Sequence, residues 1–463
     1  MSLSTALSIA QNSLLNTSRQ LGVVSRNLSE VGNPDYARRS ATLSSLAPGA
    51  RIVQIQRAMN DALFKQNLTA LSGWTAQDTI VSGLDRLQIS VNGVDNSTSA
   101  AKSLGEFQNA LQLYSANPSN RTLGENAVEI ARTLVRNLNN GTSSIQSFRT
   151  DMDRQIAAGV DELNGLLADF KTANDEITAG TRAGRDVLDA LDRRDALLKK
   201  ISELVPISTI TRGDNDVVIV TSDGATLFET SPRAVTFEPT PAYGAGSTGN
   251  NIRIDGVPLT AGAGGNTTAG GSLAAMMQLR DQTAVGMQLQ LDETARALND
   301  AIPGLLTFTG NITDPGFAGR ISVNAAIDHN AGGNPELLRD GILANANPDG
   351  NASFNDLLIG YLEALEAPRT FQTAAGATAS MSLMGYTADS VSWLEANRKA
   401  AASGAEAKSA LLMKTSTALS NVTNVNEDEE MALLLELEHS YAASARLLQT
   451  IDNMLAVLLD ATR

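Results

Sequence analysis

Both ends of this chain carry an apolar stripe with a seven-residue step, and that pattern restricts the fold more than any other feature. Leu7, Leu14, Leu21 and Leu28 form one row, and Ala10, Thr17, Val24 and Val31 form a second row three positions later. Paired rows of this kind define an a/d seam, the signature of a helix that must bury one narrow face against another helix. At 1.5 Å per residue, a helix from Ser4 to Glu30 spans about 40 Å. It is expected to stop at Gly32-Asn33-Pro34, because a proline disfavours the helical conformation in the residue before it. The C-terminal end repeats the design: Leu434, Tyr441, Leu448 and Leu455 make one row, and Leu437, Ser444, Ile451 and Leu458 the other. Asn426 followed by Glu427, Asp428, Glu429 and Glu430 supplies a capping side chain and acids at the positive end of a helix dipole. Each stripe needs a partner. Periodicity alone leaves open whether the two ends pair within one copy, as an antiparallel coiled coil, or also with neighbouring copies, and a stripe without its full partner is expected to be partly melted.

Charge follows the same division. Residues 1–60 hold six arginines against Glu30 and Asp35, whereas residues 400–463 hold four basic and nine acidic groups, so the two ends carry opposite sign. The whole chain has a formal net charge of −15, which disfavours general binding to nucleic acid or to an anionic membrane. Aromatic residues make up only 4% of the 463 residues, and much of the apolar content is Ala, Leu and Val. That balance suits long helices packed closely through small side chains.

Between the ends the period is helical from Asp61 to Val205. Ile145, Phe148, Met152, Ile156, Val160, Leu163, Leu167 and Phe170 step by three and four, the mark of one long amphipathic helix whose stripe faces a core. Phe64-Leu68-Leu71, Leu104-Phe107-Leu111 and Val187-Leu191-Leu198 indicate further helices, with a break at Asn117-Pro118. Pro206 marks a change. Asp216-Val-Val-Ile-Val-Thr221 is β-branched, Asp223-Gly224 is a hairpin turn, and Ala225-Thr-Leu-Phe-Glu229 returns antiparallel. Ala234–Phe237 and Ile252–Ile254 extend the sheet. Helix resumes over Ser272–Ala301. An irregular stretch from Pro303 to about Gly350 follows, then helices from Phe354 to Leu365 and from Met381 onward, interrupted near Val422–Asn426. The expected fold is mainly α with an inserted β domain: terminal coiled-coil helices (1–60 pairing with 426–463), a long-helix bundle body (61–205 and 271–425), and a small antiparallel β domain (206–270) displayed outward.

The chemistry of enzymes is missing from this pattern. Gly244-Ala-Gly-Ser-Thr-Gly249 matches a dinucleotide fingerprint on paper, but it follows Pro-Thr-Pro-Ala-Tyr rather than an apolar strand and does not open a helix. Glu436-x-x-His439 is half of a di-iron carboxylate motif with no second half. His329 and His439 are the only histidines, too few for His-rich zinc sites. Asp214 and Asp216 read as a turn. There is no cysteine, so disulfides and thiolate metal sites are excluded. Met1-Ser-Leu-Ser-Thr-Ala-Leu lacks the basic and apolar regions of a cleavable signal, and no apolar run approaches the ~18 residues of a membrane span. No catalytic, cofactor-binding or metal site is expected.

Local motifs narrow the class. Ser25-Arg-Asn-Leu-Ser-Glu-Val-Gly-Asn-Pro-Asp-Tyr-Ala-Arg-Arg39 resembles the signature of the rod/hook axial family of the bacterial flagellum, a helix ending in Asn-Leu-Ala-Asn-Val-Asn-Thr-Pro-Gly-Tyr. Asn27, Leu28, Val31, Pro34 and Tyr36 match; Arg26, Gly32-Asn33 and Asp35 depart from it, and Asp35 replaces a glycine at the bend. Three further regions resemble the members found at the junction of hook and filament. These are Leu188-Asp-Ala-Leu-Asp-Arg-Arg-Asp-Ala-Leu-Leu198, then Gly270-Gly-Ser-Leu-Ala-Ala-Met-Met-Gln-Leu-Arg-Asp281, and, at the C-terminal end, Val425-Asn-Glu-Asp-Glu-Glu430 with Tyr441-Ala-Ala-Ser-Ala-Arg-Leu-Leu-Gln-Thr-Ile-Asp452.

The resemblance implies a non-enzymatic structural subunit that is exported by the flagellar type III apparatus with an export chaperone and without a cleaved signal. It also implies assembly outside the cell with identical copies, between the hook protein and a second junction protein. The residues expected at the assembly interface come from the two end stripes, Leu7, Leu14, Leu21, Val24, Leu28, Val31, Leu434, Leu437, Tyr441, Leu448, Ile451, Leu455 and Leu458, and the resemblance adds Asn27, Pro34 and Tyr36 as the signature turn. Another axial protein of hook or rod, or a secreted coiled-coil adhesin with the β region as its binding module, are the alternatives.

Overall fold

The computed structural model describes residues 3–45, 50–93 and 96–461, so the outermost residues of both terminal segments (1–2 and 462–463) lie outside it. Helix α1 (Leu3–Ser29) leads into a hairpin, β1 (Arg39–Ser45) and β2 (Ala50–Arg57), which the helical reading of the N-terminal segment had not anticipated. Four helices follow: α2 (Asp61–Ser90), α3 (Ala100–Ala116), α4 (Arg121–Arg182) and α5 (Leu188–Leu204). Their starts are chemically specified, because Asn60, Ser99 and Asn120 each accept a hydrogen bond from a backbone N–H of the first turn.

The long helix expected around Ile145–Phe170 runs for 62 residues, and all eight residues of the expected stripe are buried. Glycines permit neighbours to approach it closely. A Cβ at Gly180 would lie 2.3 Å from Val187 Cγ1, and one at Gly159 would lie 2.7 Å from Leu273 Cδ2.

The β segment begins just after Pro206, with one strand that the β-branched runs did not single out. β3 (Ile207–Thr211) pairs with β4 (Val217–Thr221), which pairs with β5 (Thr226–Phe228), all antiparallel, and the Asp223-Gly224 turn places Gly224 at φ +84°. A second small sheet joins β6 (Val235–Thr236), β7 (Arg253–Ile254) and β8 (Val257–Pro258). One face of the segment 206–270 packs inward. Val217, Ile219, Leu227, Phe228, Val235, Ile252 and Ile254 are buried in the same continuous core as the α4 stripe, and Phe170 meets Phe228 edge-on at 4.9 Å. The strands are too short to enclose a core of their own, so α4 supplies the other half.

Helix α6 (Gly271–Gln278) passes through one π-helical turn, Leu279–Thr283, into α7 (Ala284–Ala301). The widened turn carries Arg280, which is fully buried and paired with Asp153 of α4 at 2.5 Å. Arg149 donates to the carbonyls of Arg280 (3.1 Å) and Ser247 (2.6 Å). The Gly244–Gly249 loop is therefore gripped by an α4 arginine and opens no helix.

The stretch after Pro303 contains more order than composition suggested: a β9 (Leu306–Phe308) and β10 (Ile321–Val323) pair, and a one-turn helix α8 (Leu337–Asp340). Then come α9 (Asp356–Glu366), the short pair β11 (Arg369–Thr370) and β12 (Ser380–Met381), and α10 (Leu383–Thr423). The last helix is α11 (Glu427–Asp460). Helix α10 packs along α2, and α11 packs along α1. The fold is mainly α with small antiparallel sheets. Its apolar core runs from Phe64 to Leu419, and among the described residues the terminal segments add only the half-buried Met59 at its edge.

Candidate assembly interface

The two terminal helices lie antiparallel. Ser13 and Ser444 share a hydrogen bond of 2.8 Å, and fourteen residues away along each helix Asn27 meets Glu430 at 3.0 Å. Within this pair Val24, Leu437 and Ile451 are buried, as are Ala10 and Thr17 of the second row. Leu7, Leu14, Leu21, Leu28, Leu434, Leu448 and Leu455 are half-buried. Three residues of the expected seam stay outside it: Val31 (42% exposed), which lies beyond the end of α1, Tyr441 (44%) and Leu458 (53%). One helix against one helix covers a single narrow face, so the rest of each stripe remains in solvent.

The pattern also missed a set of apolar residues. Leu15, Met431, Leu435, Leu447, Met454, Val457 and Leu459 are all exposed on the same two helices. An a/d template selects one stripe and ignores a second; the runs Leu433–Leu435 and Val457–Leu459 were the available signal.

The signature turn is the polar end of this unit. Asn27 is buried, and its amide makes four hydrogen bonds. Its Nδ2 donates to the Arg39 carbonyl (2.9 Å) and to Glu430 Oε2 (3.0 Å), while its Oδ1 accepts from the Tyr36 hydroxyl (2.8 Å) and the Arg39 N–H (3.0 Å). This exhausts the capacity of an asparagine side chain. Glu430, only 1% exposed, takes its second partner from Arg38 Nε at 2.7 Å. Burial pushes the Tyr36 hydroxyl up to about 12, against the opposing pull of Arg39 and Arg26. Pro34 is exposed at the bend. Asp35 fills the glycine position without a left-handed backbone, its N–H donating to Asn33 Oδ1 (3.0 Å). Glu430 was legible in sequence only as one of four helix-start acids; its long-range role was not.

The opposite sign of the two ends brings Arg38 to Glu430. Arg26, Arg39 and Arg57 turn instead to Asp189, Asp192 and Asp195 of α5. Among the described residues no group of three or more His, Cys, Asp or Glu is placed to hold a metal ion, and no helix is long and apolar enough to cross a membrane.

Beside this antiparallel terminal pair and its turn, residues 418–461 match the family model of the flagellar basal body rod FlgEFG protein C-terminal region. In the body, residues 85–304, a little under half of the chain, match the model of the flagellar hook-associated protein FlgK helical domain. It is 25% identical over 311 residues to flagellar hook-associated protein 1 of Escherichia coli (strain K12), covering 61% of this chain and 54% of that protein. The chain thus spans about half the length of this curated relative. A solved structure, the flagellar hook junction protein FlgK from Burkholderia pseudomallei, superposes with a TM-score of 0.42 at 18% identity over 53% of this chain and 44% of that one. The family is structural, not enzymatic.

Proposed function

We propose that this chain is a structural subunit joining hook to filament in the bacterial flagellum, self-assembling through its terminal helices outside the cell. The observation that carries the reading is the incomplete burial of the α1–α11 pair: Leu447, Met454, Val457 and Leu458 line an apolar surface on a helix whose other face is already occupied. A face of this kind on an otherwise polar helix marks a protein contact. Head-to-tail contacts that do not close generate a helical tube, so sister copies supply the missing cover. The match to a hook-associated helical domain supports the junction over hook or rod. The adhesin reading has less support, since the inner face of 206–270 shares its core with α4 and does not form a free-standing unit.

In this reading the hook protein lies on one side and a second junction protein on the other, and the subunit reaches them through the type III export apparatus, accompanied by an export chaperone and without signal cleavage. Deleting the gene is expected to leave hooks without filaments and to release flagellin into the medium. Electron microscopy of the deletion strain checks this, and intact filaments would overturn the assignment.

A further inference from the structure

The N-terminal segment meets α5 of the body through a row of charged side chains. Arg39 and Arg57 are directly opposed in the β1–β2 register. Like charges at such a position destabilise a hairpin unless a third group compensates them. The compensation comes from α5, where Asp189, Asp192 and Asp195 recur every three residues along one spiral ridge. Asp192 sits between the two guanidiniums, 3.0 Å from Arg39 Nη2 and 3.1 Å from Arg57 Nε. Asp189 takes Arg26 at 2.5 Å together with Arg39, and Asp195 takes Arg57. The result is an alternating row, Arg26–Asp189–Arg39–Asp192–Arg57–Asp195, with equal numbers of each sign. One turn further along, Lys199 pairs with Asp35 at 2.9 Å. Arg39 is only 4% exposed and Arg57 9%, so the centre of the row is shielded from water while its Arg26 end is open.

We propose that this six-residue zipper is a joint that sets the angle of the α1–α11 pair relative to the helical body, and that it opens as a unit when its central carboxylate is neutralised. Separating an apolar interface exposes surface that water does not repay. Separated ions regain their hydration, so a charged joint offers directional registry with little net holding strength. Asp192 is the keystone because it neutralises both hairpin arginines; without it the Arg39–Arg57 repulsion drives the hairpin off the ridge. The inference goes beyond the assembly reading. It concerns a single copy, so its failure leaves that reading untouched.

The chain has no native cysteine, which allows spin labels at Ser18→Cys on α1 and Ala158→Cys on α4 of the full-length protein. Electron–electron distance measurements are expected to give one narrow distribution in the parent and in Asp192→Glu. In Asp192→Asn a broadened distribution is expected, while the melting temperature of the body stays unchanged. A narrow, parent-like distribution in Asp192→Asn overturns the proposal. Should that variant also lower the melting temperature of the body, the double variant Arg39→Gln, Arg57→Gln, which strips Asp192 of both partners without touching the body, gives the decisive reading: broadening supports the joint and a narrow distribution refutes it.

Discussion

At the scale of single residues, Asn27 holds the terminal unit together. Asn27→Leu removes four hydrogen bonds and leaves the buried Glu430 carboxylate with Arg38 as its only remaining partner from this cluster. Orphaned buried polar groups typically cost about 1–3 kcal/mol each. Amide exchange in α1 and α11 is therefore expected to accelerate by one to two orders of magnitude, roughly tenfold per 1.4 kcal/mol, with the body unaffected. Tyr36 gives a pH signature. Its hydroxyl is raised from 10.0 to about 12, first by burial, so the folded state favours the neutral phenol. That contribution is complete below pH 10, the ordinary value, and is lost as pH rises through about 12. Tyr36→Phe should lose about 0.5–1.5 kcal/mol at neutral pH and flatten the alkaline loss of terminal-helix ellipticity. An unchanged alkaline profile in that variant would remove Tyr36 from the account. Asn27 and Tyr36 were legible from their resemblance to a family signature, but Glu430, 403 residues from Asn27, was not, because nothing local in Val425–Glu430 shows which acid turns inward.

At the scale of elements, helix positions were legible almost throughout, since a stripe at three- and four-residue steps is a local property. Glycines within α4 show what such a stripe leaves out. Gly165 has no atom within 4 Å of a built Cβ, so Gly165→Ala should stabilise the protein by about 0.5–1 kcal/mol through helix propensity. Gly180→Ala should do the reverse, because the added methyl meets the stiff β-branched Val187 at 2.3 Å, where α4 turns back into α5. Thermal denaturation of the two variants checks the opposite signs. The β1–β2 hairpin, strand β3 and the π turn at Leu279–Thr283 were not foreseen. β1 is rich in Ser and Thr with weak alternation, β3 is only five residues long, and a π turn differs from an α turn by one residue of register. Each is stabilised by what it packs against.

At the scale of the whole molecule, the terminal unit and the body are separable. The continuous apolar core begins at Phe64 and ends at Leu419, and the buried residues of the terminal pair, such as Ala10, Val24, Leu437 and Ile451, lie outside that cluster. Removing residues 1–31 is expected to abolish self-assembly, read by light scattering and electron microscopy, while the melting temperature of the body moves by no more than a few degrees. A collapse of the body transition in calorimetry would show that α1 is part of the cooperative core. The β segment stands in the opposite relation, since excising 206–270 strips one flank of α4 and is expected to unfold the body.

What this chain determined by sequence alone was periodic: where helices run, where proline and glycine stop them, and that two end stripes demand partners. Those properties depend on neighbours within about four residues, so they are written locally. Tertiary structure alone decided which acid meets Asn27, which helix receives the N-terminal arginines, and that the β segment shares α4's core. These are contacts between residues far apart in the chain, selected by the simultaneous burial of apolar faces and pairing of charges once the helices have closed upon one another.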